Sequence, residues 1–163
     1  MLRAVASLGL PDCWIAAGAV RNAVWDVLHG YAWSTPLVDV DVIWFDAARA
    51  DPAQDRALEV RLSAMVPGVD WSVKNQARMH ARNGHAPYAD CRDAMRFWPE
   101  TATGIAARLT GGGEMEVQSA FGLDDLVHLL LRPSGTEALF QERVAAKRWL
   151  EIWPKLRVVA AAL

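Results

Sequence analysis

Cysteine, charge imbalance and long apolar runs are all scarce in this chain, and each shortage removes a class of protein. Only two cysteines occur, Cys13 and Cys91, far apart and without metal-ligand spacing. Neither a disulfide framework nor a cysteine-based zinc site organises such a chain, and a reduced, cytoplasmic setting is the simplest inference. The formal net charge is −2, which argues against a large unspecific nucleic-acid footprint. Apolar runs are short and broken by charges, so no transmembrane helix is expected. Residues Met1–Leu8 resemble a signal peptide only mildly. They lack a long apolar stretch and are followed by Pro11-Asp12, and they read as a short first helix. Internal repeats, low-complexity segments and linkers are also missing. What is present is a 163-residue chain that is 53% hydrophobic, enough for a single domain over 1–163 with a real core. Its eight tryptophans are scattered, as expected of core and pocket-wall residues.

The pattern along the chain mixes helices and strands. Residues 13–16 read as a short strand. Val20, Ala23, Val24, Val27 and Leu28 recur at helical spacing and predict a helix over 18–29 with that face buried, stopped by Gly30. Residues 38–45 read as a strand. Asp51-Pro52 opens a helix to about Met65, and 70–75 reads as another strand. A helix is expected near 89–97. Strands are expected near 102–110 and 114–119 around a hairpin at Gly111-Gly112-Gly113. Further helices are expected near 123–131 and from Thr136 to about 152. This is an α+β (α/β-like) pattern, a small mixed sheet with flanking helices.

The most informative segment is Val38-Asp39-Val40-Asp41-Val42-Ile43-Trp44-Phe45. A strand sets residues i and i+2 on one face, about 6.5–7 Å apart. Asp39 and Asp41 then point one way, and Val38, Val40, Val42 and Trp44 the other, into a core. Two carboxylates held together on an apolar strand repel each other, and a divalent cation between them removes the conflict. The alternative is an edge strand carrying two solvated acids, which the apolar character of the strand opposes.

Upstream, Ala16-Ala17-Gly18-Ala19-Val20-Arg21-Asn22 runs from a strand into a helix through a glycine. The free N–H groups of a helix start favour phosphate, and small residues let a ligand approach the backbone. Arg21 in the first turn opposes the helix dipole, so it needs a partner, either phosphate or one of the two aspartates. A phosphate cradle followed by a metal-binding strand suits triphosphate chemistry.

Gly18-Ala19-Val20-Arg21-Asn22, Leu28-His29-Gly30 and Asp39-Val40-Asp41 together resemble the signature of polymerase-beta-type nucleotidyltransferases, closest in form to the CCA-adding and poly(A) polymerase branch. There the run is Gly-Gly-x-Val-Arg-Asp, Leu-Leu-Gly, Asp-x-Asp. The departures are Ala19 for the second glycine, Asn22 for the acid and His29 in the leucine run. Trp71-Ser72-Val73-Lys74-Asn75-Gln76-Ala77-Arg78-Met79-His80, Trp98-Pro99-Glu100-Thr101 and Phe121-Gly122-Leu123-Asp124-Asp125-Leu126 resemble a small stand-alone nucleotidyltransferase family, formerly a domain of unknown function. The likeness runs from about 14 to 154. It implies the polymerase-beta-type fold and Mg²⁺- or Mn²⁺-dependent transfer of an NMP group from a nucleoside triphosphate. It does not name the acceptor.

The resemblance implies a third acid on a neighbouring strand. The aligned position holds Ser72. Asp70, one pleat away on the same face, is the candidate, with Glu116 as the alternative. Asp39, Asp41 and Asp70 are thus the candidate catalytic acids, and Asp39 and Asp41 the metal ligands. Gly18, Ala19, Arg21 and Asn22 are candidates for the nucleotide, and so are Lys74, Asn75, Gln76 and Arg78 from the polar stretch after the 70–75 strand. His80, His85, His29 and His128 read as surface or capped positions. Arg143, Lys147 and Arg148 read as a solvated helix face. Asn22, Asp26 and His29 are placed to stabilise their helix or brace the acid strand. Three functions compete: a metal-dependent nucleotidyltransferase acting on a small molecule, protein or RNA end; a binding module on the same fold without turnover; and a haloacid-dehalogenase-type phosphatase. The last fits poorly, because its strand should end at the acid pair, and here the strand continues through Phe45.

Overall fold

A computed structural model describes residues 1–161. Eight helices are named α1 (Leu2–Ala6), α2 (Gly18–His29), α3 (Pro52–Met65), α4 (Gln76–Asn83), α5 (Cys91–Met95), α6 (Asp124–Val127), α7 (Glu137–Ala146) and α8 (Trp149–Ile152). The strands are β1 (Trp14–Ala16), β2 (Val40–Trp44), β3 (Trp71–Asn75), β4 (Ile105–Leu109), β5 (Met115–Ser119), β6 (Leu130–Leu131) and β7 (Arg157–Val158). Five strands form one sheet in the order β3-β2-β1-β4-β5, with β2–β3 parallel and the other pairs antiparallel. β6 and β7 make a separate parallel pair. The α+β architecture read from the pattern is the one observed.

Sheet register decides which side chains meet. Val73, Val42, Ile15, Ala107 and Val117 form one row across all five strands. Over β1–β3 this face packs against Val5, Leu8 and Leu62 of the helical layer. The adjacent row, Ser72, Asp41, Ala16, Ala106 and Gln118, points to the other face. On that face Ala16 and Ala106 are fully buried, packed with Trp14, Ile43, Cys91 and Met95. A second cluster joins Trp25 to Phe140, Trp149 and Trp153 and locks α7 and α8 onto α2.

Several boundaries differ from the sequence pattern. The acid strand starts at Val40, so Asp39 sits in the approach to it, and Val38 is 79% exposed instead of buried. The polar stretch after β3 folds as α4, capped by the Asn75 side chain at Ala77 N–H and stopped by left-handed Gly84. The expected helix over 123–131 ends at Val127, because Leu129 takes φ +59° and the chain turns into β6. The expected helix over 136–152 breaks at Arg148 (φ 52°, ψ 34°) into α7 and α8. Residues 101–103 form a 3₁₀ turn, so β4 starts later than predicted.

The largest difference concerns α2. Its helical periodicity is correct, but the buried face is not the aliphatic one: Arg21, Trp25 and Asp26 are buried, while Val27 is 77% exposed. The aliphatic stripe lines an open groove over β4 and β5, with Leu123 and Val127 on its far side. Periodicity fixes a stripe but not which neighbour claims it. The indoles of α8 and its flank bury more area than a valine stripe, and they claim the other side.

Candidate active site

A cleft opens on the Asp41 face of the sheet. It has two lobes, of about 380 and 280 Å³, and Ala17, Asp41, Thr103 and Arg143 line both. The first lobe lies between α2, the loop before Asp39, and α7–α8, with Gly18, Asn22, Asp39 and Lys147 on its wall. The second lies toward β3 and α4, with Lys74, Gln76, Asn83 and Trp98 on its wall.

Asp41 stands at the junction. Burial raises its pKa above the ordinary aspartate value, and the Asp39 charge raises it further, while Ser72, Lys74 and Lys147 offset part of the shift. A carboxylate that is costly to ionise and faces a cleft is the electrostatic setting of a cation site. Asp39 is exposed. Its approach loop is fastened by Asp26, which accepts from Thr35 N (2.8 Å) and Thr35 Oγ1 (3.2 Å) and, through Oδ1, from Trp153 Nε1 (2.8 Å). Asp26 therefore braces the acid segment, as its place on the helix suggested.

Among the described residues, no group of three or more His, Cys, Asp or Glu is arranged to hold a metal ion. Ser72 lies across the ladder from Asp41. Asp70 is exposed at the start of β3, where its carbonyl accepts from Val40 N, and it lines neither lobe. Glu116 is on edge strand β5, paired with Arg108 (2.7 Å). Two acids still suit Mg²⁺, which binds through one or two carboxylates and takes its other ligands from phosphate and water.

The start of α2 carries the strain. Ala17, its N-cap, has φ 52° and ψ −123°, a conformation that favours glycine. The position needing glycine is thus Ala17, two residues before the Ala19 departure read from the sequence. Ala17 N donates to Ile105 O (2.9 Å), and no side chain caps the helix. The first-turn N–H groups of Gly18, Ala19 and Val20 have no partner within the helix. The Ala19 side chain turns away to the core, leaving only its backbone to serve a ligand.

Arg21 has its partners inside the protein. Its guanidinium lies over Trp25 (4.8 Å) and Trp149 (4.4 Å), with Nη1 donating to Thr103 Oγ1 (2.7 Å) and Nη2 to Asn22 Oδ1 (2.9 Å). Burial pushes its pKa down to about 10, against the opposing charge of Glu100. It fixes α2 to the cleft floor.

Sequence and structure diverge further at α4 and α7. Asn75 and Arg78 line neither lobe. Asn75 is fully buried and cross-links Asp46 and Arg49, while Arg78 pairs with buried Asp55. Lys74 and Gln76 do reach the second lobe, and Lys74 Nζ donates to Glu59 (2.9 Å). Conversely, Arg143 and Lys147, expected on a solvated face, line the cleft. Arg143 Nε donates to Glu100 (2.5 Å), whose side chain is 0% exposed. The i, i+4 spacing of Arg143 and Lys147 was the available signal, since it sets both on one side of a helix. Nothing in the sequence showed that this side faces the acids.

Acid pair, helix start and five-stranded sheet together define the nucleotidyltransferase class. The chain belongs to the nucleotidyltransferase family, whose model matches residues 3–158. It is similar to a CCA-adding enzyme head domain solved by NMR, with 33% identity, a TM-score of 0.83, and coverage of 98% of this chain and 87% of that one. A tRNA nucleotidyltransferase complexed with a primer tRNA and an incoming ATP analog shares the fold at 18% identity and TM-score 0.60, with 98% of this chain matching 46% of that one. A CCA-adding enzyme with CTP does so at 12% identity and TM-score 0.58, with 96% of this chain matching 38% of that one. The chain thus spans less than half the length of these two enzymes. No curated protein matches it by sequence.

Proposed function

We propose that this chain transfers a nucleoside monophosphate group from a nucleoside triphosphate to a hydroxyl acceptor, with Mg²⁺ or Mn²⁺ held by Asp39 and Asp41. The observation that carries the reading is the position of Asp41, raised in pKa, at the junction of two lobes and beside the uncapped start of α2. Bound there, a divalent cation would neutralise phosphate charge.

The chain's own groups supply the rest. The N–H groups of Gly18 and Ala19, with Lys147 on the facing wall, hold the triphosphate in the first lobe. Arg21 and Asn22 keep that helix start in place. The acceptor oxygen bonds to the α-phosphorus as the bond from that phosphorus to its bridging oxygen breaks. Pyrophosphate leaves, and the hydroxyl proton passes to water. The absence of a third acid among the described residues favours a second reading, a nucleotide-binding module without turnover. No described helix is long and apolar enough to cross a membrane.

Calorimetric titration with a nonhydrolysable ATP analogue and Mn²⁺, followed by a pyrophosphate assay with ATP, tests both. Metal-dependent binding lost in Asp39→Ala and Asp41→Ala supports the site. Unchanged affinity in both variants rejects it. Binding without pyrophosphate release for any acceptor selects the module.

A further inference from the structure

The triphosphate is proposed for the first lobe, and the second lobe also opens onto Asp41. We infer that it is the acceptor site, and that its acceptor is a small hydroxyl compound of nucleoside size bearing a planar, amino-substituted ring. This rests on the nucleotidyltransferase reading for the acceptor's reaction, but the binding site stands on its own geometry.

Size comes first. At about 280 Å³ the lobe is at the small end of ligand pockets and suits one ring with its sugar rather than a folded polymer. Its walls are of two kinds. Half-buried Trp98, Pro99 and Met79 give flat and polarisable apolar surface. Gln76 and Asn83 give amides. Each amide uses its NH₂ on the protein: Gln76 Nε2 donates to Lys74 O (3.1 Å) and Asn83 Nδ2 to Tyr88 Oη (3.2 Å). Their carbonyl oxygens have no protein donor among the described residues. Two amide acceptors beside an indole recognise a ring that donates N–H, such as an aminopurine or aminopyrimidine.

Charge argues against a polynucleotide. Lys74 is paired with Glu59 and Arg143 with Glu100, so the lobe has no free cation track for a phosphate backbone. The Trp98–Glu100 segment is built firmly: Pro99 O accepts from Ser134 N (3.0 Å), and buried Glu100 anchors Arg143 at the junction. Trp98 and Pro99 of the Trp98-Pro99-Glu100-Thr101 run thus wall the second lobe, and Glu100 holds Arg143 where the two lobes meet.

The test titrates adenosine, with inosine, ribose and a short RNA oligonucleotide as comparisons, while following the Trp98 indole N–H and Met79 methyl resonances. One series uses the free protein. Another uses protein saturated with a nonhydrolysable ATP analogue and Mg²⁺. Failure of the analogue to bind counts against the nucleotide reading alone, since the free-protein series still reports on the lobe. Expected are shifts at Trp98 and Met79 with adenosine in both series, several-fold weaker binding of inosine, and ~tenfold or greater weakening in Trp98→Ala with retention in Trp98→Phe. Silence at Trp98, ribose acting as well as adenosine, or the oligonucleotide binding more tightly than adenosine would overturn the assignment.

Discussion

Asp41 lies directly across the parallel β2–β3 ladder from Ser72. A strand register that sets a hydroxyl where an acid would complete a metal site makes the ligand count adjustable by one substitution. Ser72→Asp is expected to raise Mn²⁺ affinity about tenfold or more, since affinity follows ligand charge. The same change adds a third like charge, so the metal-free variant melts at a lower temperature than the parent. Isothermal titration and paired melts with and without Mn²⁺ check both signs. Affinity no higher than the parent's would show that the Ser72 position does not face the ion.

Asp41 itself carries a cost in the metal-free protein. Burial, then the Asp39 charge, raise its folded pKa above the ordinary value. A group whose folded pKa is raised binds protons better when folded, so it destabilises at pH above that pKa and ceases to do so as pH falls through it to the unfolded value. Asp41→Asn is therefore expected to raise the melting temperature at pH 7 without metal, with the difference shrinking as pH drops toward 4. Metal-dependent nucleotide binding is lost in the same variant. Melts from pH 4 to 8 measure this, and a variant less stable than the parent at pH 7 would count against the electrostatic account.

Ala17 offers a stability test of another kind. Its φ of 52° and ψ of −123° strain any residue with a Cβ. Ala17→Gly relieves that strain while giving back some chain entropy in the unfolded state. The net expectation is stabilisation of about 1 kcal/mol, read from the urea midpoint at unchanged slope.

How much was legible in the sequence follows from the same residues. The acid pair and the glycine-led helix start were visible because their spacing is local: two positions on one strand, and a small-residue run before a helix. So were most elements, since Pro52, Gly30 and Gly111–Gly113 punctuate them. Arg143 and Lys147 were not legible as residues lining the cleft. Their place in the cleft depends on α7 folding back against α2 through Trp25, Trp149 and Phe140, a long-range packing choice with no sequence period. Asn75 and Arg78 misled for the converse reason: polar residues after a strand look free, and here both are consumed by buried partners.

The reversed burial of α2 separates two substitutions that periodicity would rank alike. Val27→Lys is expected to change stability by no more than about 0.5 kcal/mol, as for other exposed positions. Trp25→Ala removes an indole that is 0% exposed and meets Trp149 and Trp153 edge-on, at an expected cost of about 3–5 kcal/mol. Denaturant unfolding of the two variants decides between the observed face and the aliphatic one.

Lys147 tests the role proposed for the first lobe, because it makes no ion pair among the described residues, unlike Arg143 beside it. It is exposed and lines the wall facing Gly18 and Asp39. A free ammonium here is available to an anionic ligand and contributes little to folding. Lys147→Ala is expected to weaken ATP-analogue binding about five- to tenfold at low salt, and less at high salt because the exposed charge is screened. Adenosine binding and the melting temperature should stay unchanged. An equal loss for adenosine and for the triphosphate analogue would place Lys147 at the ring rather than at the phosphates.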